Sequence, residues 1–328
     1  MEFLFADWLG TPAWFWLTFF LLVAALTAFD LGVLHKEDRE MGVAESLKLS
    51  AYYIGIALLF GAWVWYARGP EPGMQYYTGF FIEKALSIDN VFVISLIFTY
   101  FAIPPKYQYR ALLWGIIAVI LLRGLMIGGG AALVSEFYWV LYLFAAFLIV
   151  TGIKMFFAGD QPMDVANNAA VRFIARHMRV TRELHGHHFF VKAPDAKTGR
   201  LVIAATPLFL ALVVINLADL VFAVDSVPAI FAITTDTFIV YTSNIMAILG
   251  LRALYFALAA MVHRFYYLKY ALATVLVFIG AKIFVSDFIL GGDKFPPALS
   301  LGVTFALIAA GIFYSLWKTR TRREPDWP

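Results

Sequence analysis

Hydrophobic residues run through this chain in blocks too long for the core of a soluble domain, and polar residues gather in the short stretches between them. A helix needs about 20 consecutive apolar residues to cross a bilayer. Nine stretches meet or approach that length, roughly at 11–34, 50–67, 76–102, 109–134, 137–158, 202–233, 238–262, 268–290 and 298–318. They predict an all-α polytopic membrane protein of about nine transmembrane helices. The first block follows Glu2 and Asp7 rather than bases and is too long for a cleaved leader, so it reads as a retained helix.

The polar stretches carry a second pattern. Outside the predicted spans, Lys and Arg fall almost entirely in 34–49, 103–110, 159–201, 263–269 and the C-terminal tail, while the opposite side receives only Arg68 and Lys294. Cytoplasmic loops are the basic ones. The sorting therefore predicts a multi-pass protein of the bacterial inner membrane, with its N-terminus outside and its C-terminus in the cytoplasm. An odd number of spans agrees with that.

Polar positions inside the apolar blocks are the informative exceptions. Residues 83–91 read EKALSIDNV and residues 219–227 read DLVFAVDSV. Glu83 aligns with Asp219, Asp89 with Asp225, Asn90 with Ser226, Arg123 with Arg252 and Lys154 with Lys282. The offset between copies shortens only across predicted loops, as expected of a diverged tandem duplication. Each copy holds three predicted helices, an odd number, so the second enters from the opposite side. This predicts an inverted-topology 3+3 repeat, the architecture of many secondary transporters. The chain then divides into peripheral helices (1–75), repeat 1 (76–158), a cytoplasmic segment (159–201), repeat 2 (202–290), and a last helix with a basic tail (291–328). Within the cytoplasmic segment, Val171, Ile174 and Met178 stand on one stripe and Arg172, Arg176 and Arg179 on another, which predicts a basic amphipathic helix. The part around Pro194 to Gly199 reads as strand–turn–strand. His185, His187 and His188 have a metal-like composition, but a solvated turn is the stronger reading.

An ionised carboxylate in hydrocarbon costs at least ~2.5–3.5 kcal/mol on insertion scales. Asp30, Glu83, Asp89, Asp219 and Asp225 therefore need partners or a task. Together with Asn90, Asn216 and Ser226 they form a hard oxygen inventory suited to Mg, Ca or Mn. Carboxylates can also take up protons, so the same set can serve metal/proton exchange. Arg123, Lys154, Arg252 and Lys282 read as counter-charges for the acids when no cation is bound. On a regular helix Glu83 and Asp89 lie about 120° apart, whereas Glu83 and Asn90, and likewise Asp219 and Ser226, nearly share a face. Pro228 predicts local unwinding in the second copy. Lys84 has Leu220 as its counterpart, and a snorkelling lysine is an equal reading of it. Asp30 either lines a cytoplasmic entrance or reaches the headgroups. Gly128 to Gly130 predict a close helix approach.

Composition narrows the chemistry further. The chain has 328 residues, is 62% hydrophobic and only 14% charged, and contains no cysteine. Disulfides and thiolate metal sites are excluded. A net charge of +3 gives no reason to expect a nucleic-acid partner. GxxxxGK[ST] is absent, which excludes a self-contained ATP-driven pump. Nothing in the sequence points to an enzyme or to a bound cofactor.

The motifs FDLGVLHK, EKALSIDNVFV, NLADLVFAVDSVPAIFA, GLRALYF and FIGAKIF resemble the TerC family of integral membrane proteins, in its Alx-like branch, over nearly the whole chain. The resemblance implies kinship with LysE-type exporters and makes Glu83, Asp89, Asn90, Asp219, Asp225 and Ser226 the family's acidic-motif positions. It implies manganese export, while the tellurium-resistance and membrane-assembly roles of other relatives imply a rival. The expectation is thus a secondary transporter exporting a hard divalent cation, foremost Mn²⁺, in exchange for protons. The alternative is a membrane-assembly or stress factor that moves nothing. Partners are the cation, protons and the lipid bilayer, with homo-oligomerisation left open.

The charge sorting makes a direct prediction. A topology reporter fused after Gly159 reads cytoplasmic, and one fused near Gly292 reads external. Both on one side would refute the inverted repeat.

Overall fold

Proline and glycine punctuate the helices. In the computed structural model, residues 2–30, 42–157, 179–181, 183–194, 201–259, 265, 267–290 and 295–319 are described. Helix α1 (Ala13–Phe29) follows Pro12, and α2 (Val43–Arg68) follows Gly42. Helix α3 (Pro70–Tyr100) and α4 (Pro105–Glu136) each begin on a proline, whose missing N–H costs nothing in the first turn. Gly69 joins α2 to α3 at a φ of 95°, a conformation open to glycine and strained for residues with a Cβ. Helix α5 (Val140–Phe157) closes the first half. An antiparallel hairpin of β1 (Phe190–Pro194) and β2 (Leu201–Ala205) leads into α6 (Pro207–Phe231), which is capped by the Thr206 hydroxyl. Helix α7 (Thr237–Leu249) starts at Asp236, whose carboxylate accepts from the Phe238 and Ile239 amides, and α8 (Leu251–Ala259) follows after a bend of 42° at Gly250. Helix α9 (Leu268–Phe284) runs on into a π-helical turn at Val285–Ile289, and α10 (Pro297–Thr319) is the last helix among the described residues.

Each of the nine predicted blocks holds helix among the described residues. Among the described residues, six helices can cross a membrane by length and apolar composition, or seven when α7 and α8 count as one bent span. Helix α1 is apolar but only 17 residues long. Helix α3 is long enough, but Glu83, Lys84 and Asp89 fall in its middle. The protein is thus an all-α polytopic membrane protein with a small antiparallel hairpin as its one sizeable β element among the described residues. The hairpin lies where the strand–turn–strand pattern put it. Its turn and most of the predicted amphipathic helix lie outside the described residues; Arg179, on that helix's basic stripe, is not helical, and the next residue, Val180, bridges to Ala205.

Packing brings the two halves together face to face. Helix α3 packs on α7, α4 on α6, and α5 along α9. The last contact is the closest. A Cβ added at Gly152 would lie 2.7 Å from the Ala273 carbonyl oxygen and 2.7 Å from Val277. One added at Gly280 would lie 2.6 Å from the Ala145 carbonyl oxygen and 2.8 Å from Ile149. Gly152 and Gly280, Ala145 and Ala273, and Ile149 and Val277 are separated by one common offset. The contact is therefore reciprocal, and α5 and α9 run antiparallel across it. Small residues let backbones approach in this way where lipid offers no hydrophobic drive.

Two local expectations change. Of the glycines at 128–130, only Gly130 meets a close neighbour, the Phe231 ring; Gly128 and Gly129 face open space. Helix α6 is not unwound at Pro228. The proline sits in its last turn, and the helix runs through it to Phe231 at the loss of one i→i−4 amide bond. The break falls instead in α7–α8, at Gly250.

Because a backbone oxygen faces each glycine seat, Gly152→Ala and Gly280→Ala should both destabilise, by about 1–3 kcal/mol, the usual range for overpacking. Thermal unfolding in detergent should show two similar drops. A parental midpoint in either variant would contradict the reciprocal contact.

Candidate functional site

The buried centre is built around one guanidinium. Arg123 lies midway along α4 and is 1% exposed. Its Nη1 donates to Glu83 Oε1 at 2.5 Å, to Asn244 Oδ1 at 2.9 Å and to Ser226 Oγ at 3.2 Å. Its Nε and Nη2 form a fork on Asp219, at 3.2 and 3.1 Å. Asn90 Nδ2 also approaches Asp219 at 3.4 Å, and Asn244 Nδ2 donates to Glu83 Oε2 at 3.0 Å. Four helices thus meet here: α3 with Glu83 and Asn90, α4 with Arg123, α6 with Asp219 and Ser226, and α7 with Asn244. Bidentate guanidinium–carboxylate geometry is among the strongest charge-assisted arrangements available.

The helical spacing explains who joins and who does not. Residues seven apart nearly share a face, and Glu83 with Asn90, and Asp219 with Ser226, are brought together. Asp225, six residues after Asp219, is turned away and half-buried, within the electrostatic reach of Lys154. Asp89 sits on α3, and its side chain lies outside the described ones. Asn216 turns back to its own helix, donating to the Leu212 carbonyl at 2.7 Å, and its Oδ1 has no partner among the described residues.

A second charged cluster lies near the N-terminal end of α4. Asp30, the C-cap of α1, is fully buried, pairs with Arg252 of α8 and accepts from the Tyr109 hydroxyl. The Arg252 guanidinium also lies 4.9 Å from the centroid of the Tyr109 ring. Asp30 is therefore an ion-paired interior group here and does not reach for headgroups. Arg252 pairs with Asp30 and not with Asp219 or Asp225, the acids that the sequence pattern groups with it. A cavity of about 40 Å³ separates the clusters, with Asn90 and Asp219 in one wall and Arg252 and Tyr255 in another.

The remaining bases are dispersed. Lys84 does not snorkel: its Nζ donates at 3.1 Å to the Ala247 carbonyl, beside the bend at Gly250. Lys282 is buried and donates to Ser300 Oγ at 3.2 Å. It lines a cavity of about 250 Å³ with Glu71, Thr78 and Asp287. No group of three or more His, Asp or Glu side chains able to hold a metal occurs among the described residues, so the histidine cluster forms no such site. Sequence reasoning missed Asn244 and Tyr109. Asn244, an amide in the apolar run YTSNIMAIL, was detectable by the reasoning that singled out Asn90. Tyr109 gave no such signal, being one aromatic residue among many.

Comparison with known proteins gives a consistent picture. Residues 68–323 match the family described as "Integral membrane protein TerC family". The chain is 48% identical over 301 residues to a Rickettsia bellii protein described as "Uncharacterized membrane protein", covering 92% of this chain and 96% of that one. It is 45% identical over 317 residues to a membrane protein of Myxococcus xanthus, covering 97% and 96%. It is 41% identical over 317 residues to an Escherichia coli K12 protein named "Putative membrane-bound redox modulator Alx", covering 94% and 95%. No solved structure matches the chain.

Removing one partner from a buried ion pair leaves an uncompensated charge, at about 3–5 kcal/mol. Arg123→Met should therefore lower the unfolding midpoint strongly. Adding Glu83→Gln should recover part of the loss, because one stranded carboxylate is then neutral. Losses that simply add in the double variant would count against a shared cluster.

Proposed function

The chain belongs to the TerC family of integral membrane proteins, and from the charge arrangement at its centre we propose that it is a secondary transporter exporting a hard divalent cation in exchange for protons. The observation that carries this reading is the pair of carboxylates, one from each half of the chain, held by a single guanidinium. Two carboxylates and Arg123 leave a net negative charge; two carboxylates and a divalent ion leave none. A cation reaching Glu83 and Asp219 therefore has an electrostatic reason to displace Arg123, and Asn90, Ser226 and Asn244 supply neutral oxygens beside it. Oxygen-only ligands favour Mg, Ca or Mn over soft metals, and Mn²⁺ is the ion we put first. In the empty state Arg123 stands in for the ion, and proton uptake by the carboxylates assists release.

The proposed frame is nine spans in a bacterial inner membrane, with the N-terminus outside and three-helix repeats of opposite topology. The reciprocal Gly152 and Gly280 seats on antiparallel helices support it. So does the matched packing of α3 on α7 and of α4 on α6. A two-fold axis in the membrane plane would exchange Gly152 with Gly280 and carry the α3–α7 contact into the α6–α4 contact, and transport sites of inverted repeats lie near that axis. The redox role in the names of the Alx relatives would need chemistry other than thiol exchange here, since the chain has no cysteine.

Purified protein in proteoliposomes tests the reading. Mn²⁺ flux should exceed that of empty liposomes and grow with an imposed pH gradient, and Glu83→Gln or Asp219→Asn should return it to background. Flux at background in the folded parent protein, with and without the gradient, would overturn it.

A further inference from the structure

Helix α8 is nine residues long, is set off from α7 by the bend at Gly250, and is tied to the rest of the bundle by polar contacts to three other helix ends. Arg252 pairs with Asp30 at the end of α1. Ser46, in the first turn of α2, donates its hydroxyl proton to the Ala253 carbonyl oxygen. Tyr255 donates to Gln108 Oε1, in the first turn of α4, at 3.1 Å. Such contacts have two discrete arrangements, made and broken, unlike a packed apolar face.

The bend itself is accommodated. The Lys84 ammonium sits on the Ala247 carbonyl, in the last turn before the break, where a cation complements the helix dipole. A Cβ at Gly250 would lie 2.9 Å from that nitrogen and 3.2 Å from Tyr53. The break can therefore persist in an apolar setting without a stranded carbonyl, which is the condition for a non-helical joint at membrane depth. Three residues before Ala247 stands Asn244, which binds both Arg123 and Glu83. The joint thus lies between the central cluster and the Asp30 cluster, on one continuous piece of chain.

Leu251, Arg252 and Tyr255 of α8 form one wall of the cavity whose opposite wall contains Asn90 and Asp219. We propose that α8 is a hinged inner gate: it pivots at Gly250, is latched by the Arg252–Asp30–Tyr109 cluster, and when released opens the central cluster toward the side from which α4 and α6 begin. The cavity, at about 40 Å³, now has room for water but for little else. Opening it exchanges an internal guanidinium–carboxylate pair for a solvated one at each swing. The passage of a divalent cation through the gate rests on the transport reading above. The gate itself does not.

The absence of cysteine from the chain makes the test direct. Gly115 lines the cavity, and a Cβ there meets nothing closer than 3.7 Å, so Gly115→Cys fits as a reporter. Ser300→Cys, in the cavity beside Lys282, reports on the opposite end of the bundle. Labelling is followed with a membrane-impermeant maleimide in vesicles of each orientation, for the parent and with Asp30→Asn, Arg252→Gln or the milder Tyr255→Phe added. The expected result is labelling of Gly115→Cys accelerated by at least about tenfold in the Asp30→Asn and Arg252→Gln backgrounds, an opening equilibrium moved by about 1.4 kcal/mol. Tyr255→Phe should accelerate it less, and Ser300→Cys should be unchanged. Unchanged labelling of Gly115→Cys in all three backgrounds overturns the gate. Equal acceleration at both reporters also overturns it, since that marks a loosened bundle. No transported ion enters the assay, so a failure of Mn²⁺ flux would remove the transport reading and leave this result standing.

Discussion

Arg123 offers five N–H donors in a rigid plane and has almost no contact with solvent, so three neighbouring helices must bring oxygen to it. That requirement fixes much of the interior. Helices α3 and α6 have to present Glu83 and Asp219 from two sides, and α7 has to place Asn244 where it can accept from the guanidinium and donate to Glu83. A set of this kind is bound closely enough to specify a single arrangement, yet buried ion pairs contribute little net stability because desolvation offsets their attraction. The glycine seats on α5 and α9, the aromatic packing of α1 and α2 around Phe238, and the bulk of the apolar contacts hold the bundle together. The charged centre decides which bundle it is.

Asymmetry between the two halves follows from the same centre. The two acidic stretches are similar in sequence and each is followed by an arginine, but two guanidiniums cannot occupy one central place. Arg123 occupies the middle and claims an acid from each copy. Its counterpart Arg252 is displaced toward Asp30, a residue outside either copy. The bend at Gly250 belongs to this displacement, since it carries Arg252 away from the line of α7 and gives α8 its separate set of contacts. The centre thus has one strong pair and, nearby, a second pair whose Arg252 lines the same cavity as Asp219.

Several features were legible because they depend only on local physics. Apolar block length located the helices, since a membrane-spanning helix has a minimum length set by the bilayer. Seven-residue spacing identified which acid and which polar residue share a face, and both pairs converge on Arg123, with Asn90 reaching across to Asp219. Arg123 was recognisable as a counter-charge because an unpaired acid in an apolar setting demands one. Asn244 and Tyr109 were harder to find: a neutral polar group raises no comparable demand, so its task is set by whatever happens to face it.

The sequence by itself determined that this is a polytopic helical membrane protein with two similar acidic stretches inside its apolar blocks, because hydropathy and helical period act along the chain. Partnership was decided only in three dimensions. Which acid Arg123 claims, why Arg252 goes to Asp30, why Lys84 ends on a carbonyl rather than in headgroups, and why the chain breaks at Gly250 and not at Pro228 all depend on distances between helices far apart in sequence. The physical reason is that a charge in a low-dielectric interior binds the nearest complementary group of suitable geometry, and nearness is a property of the packed bundle.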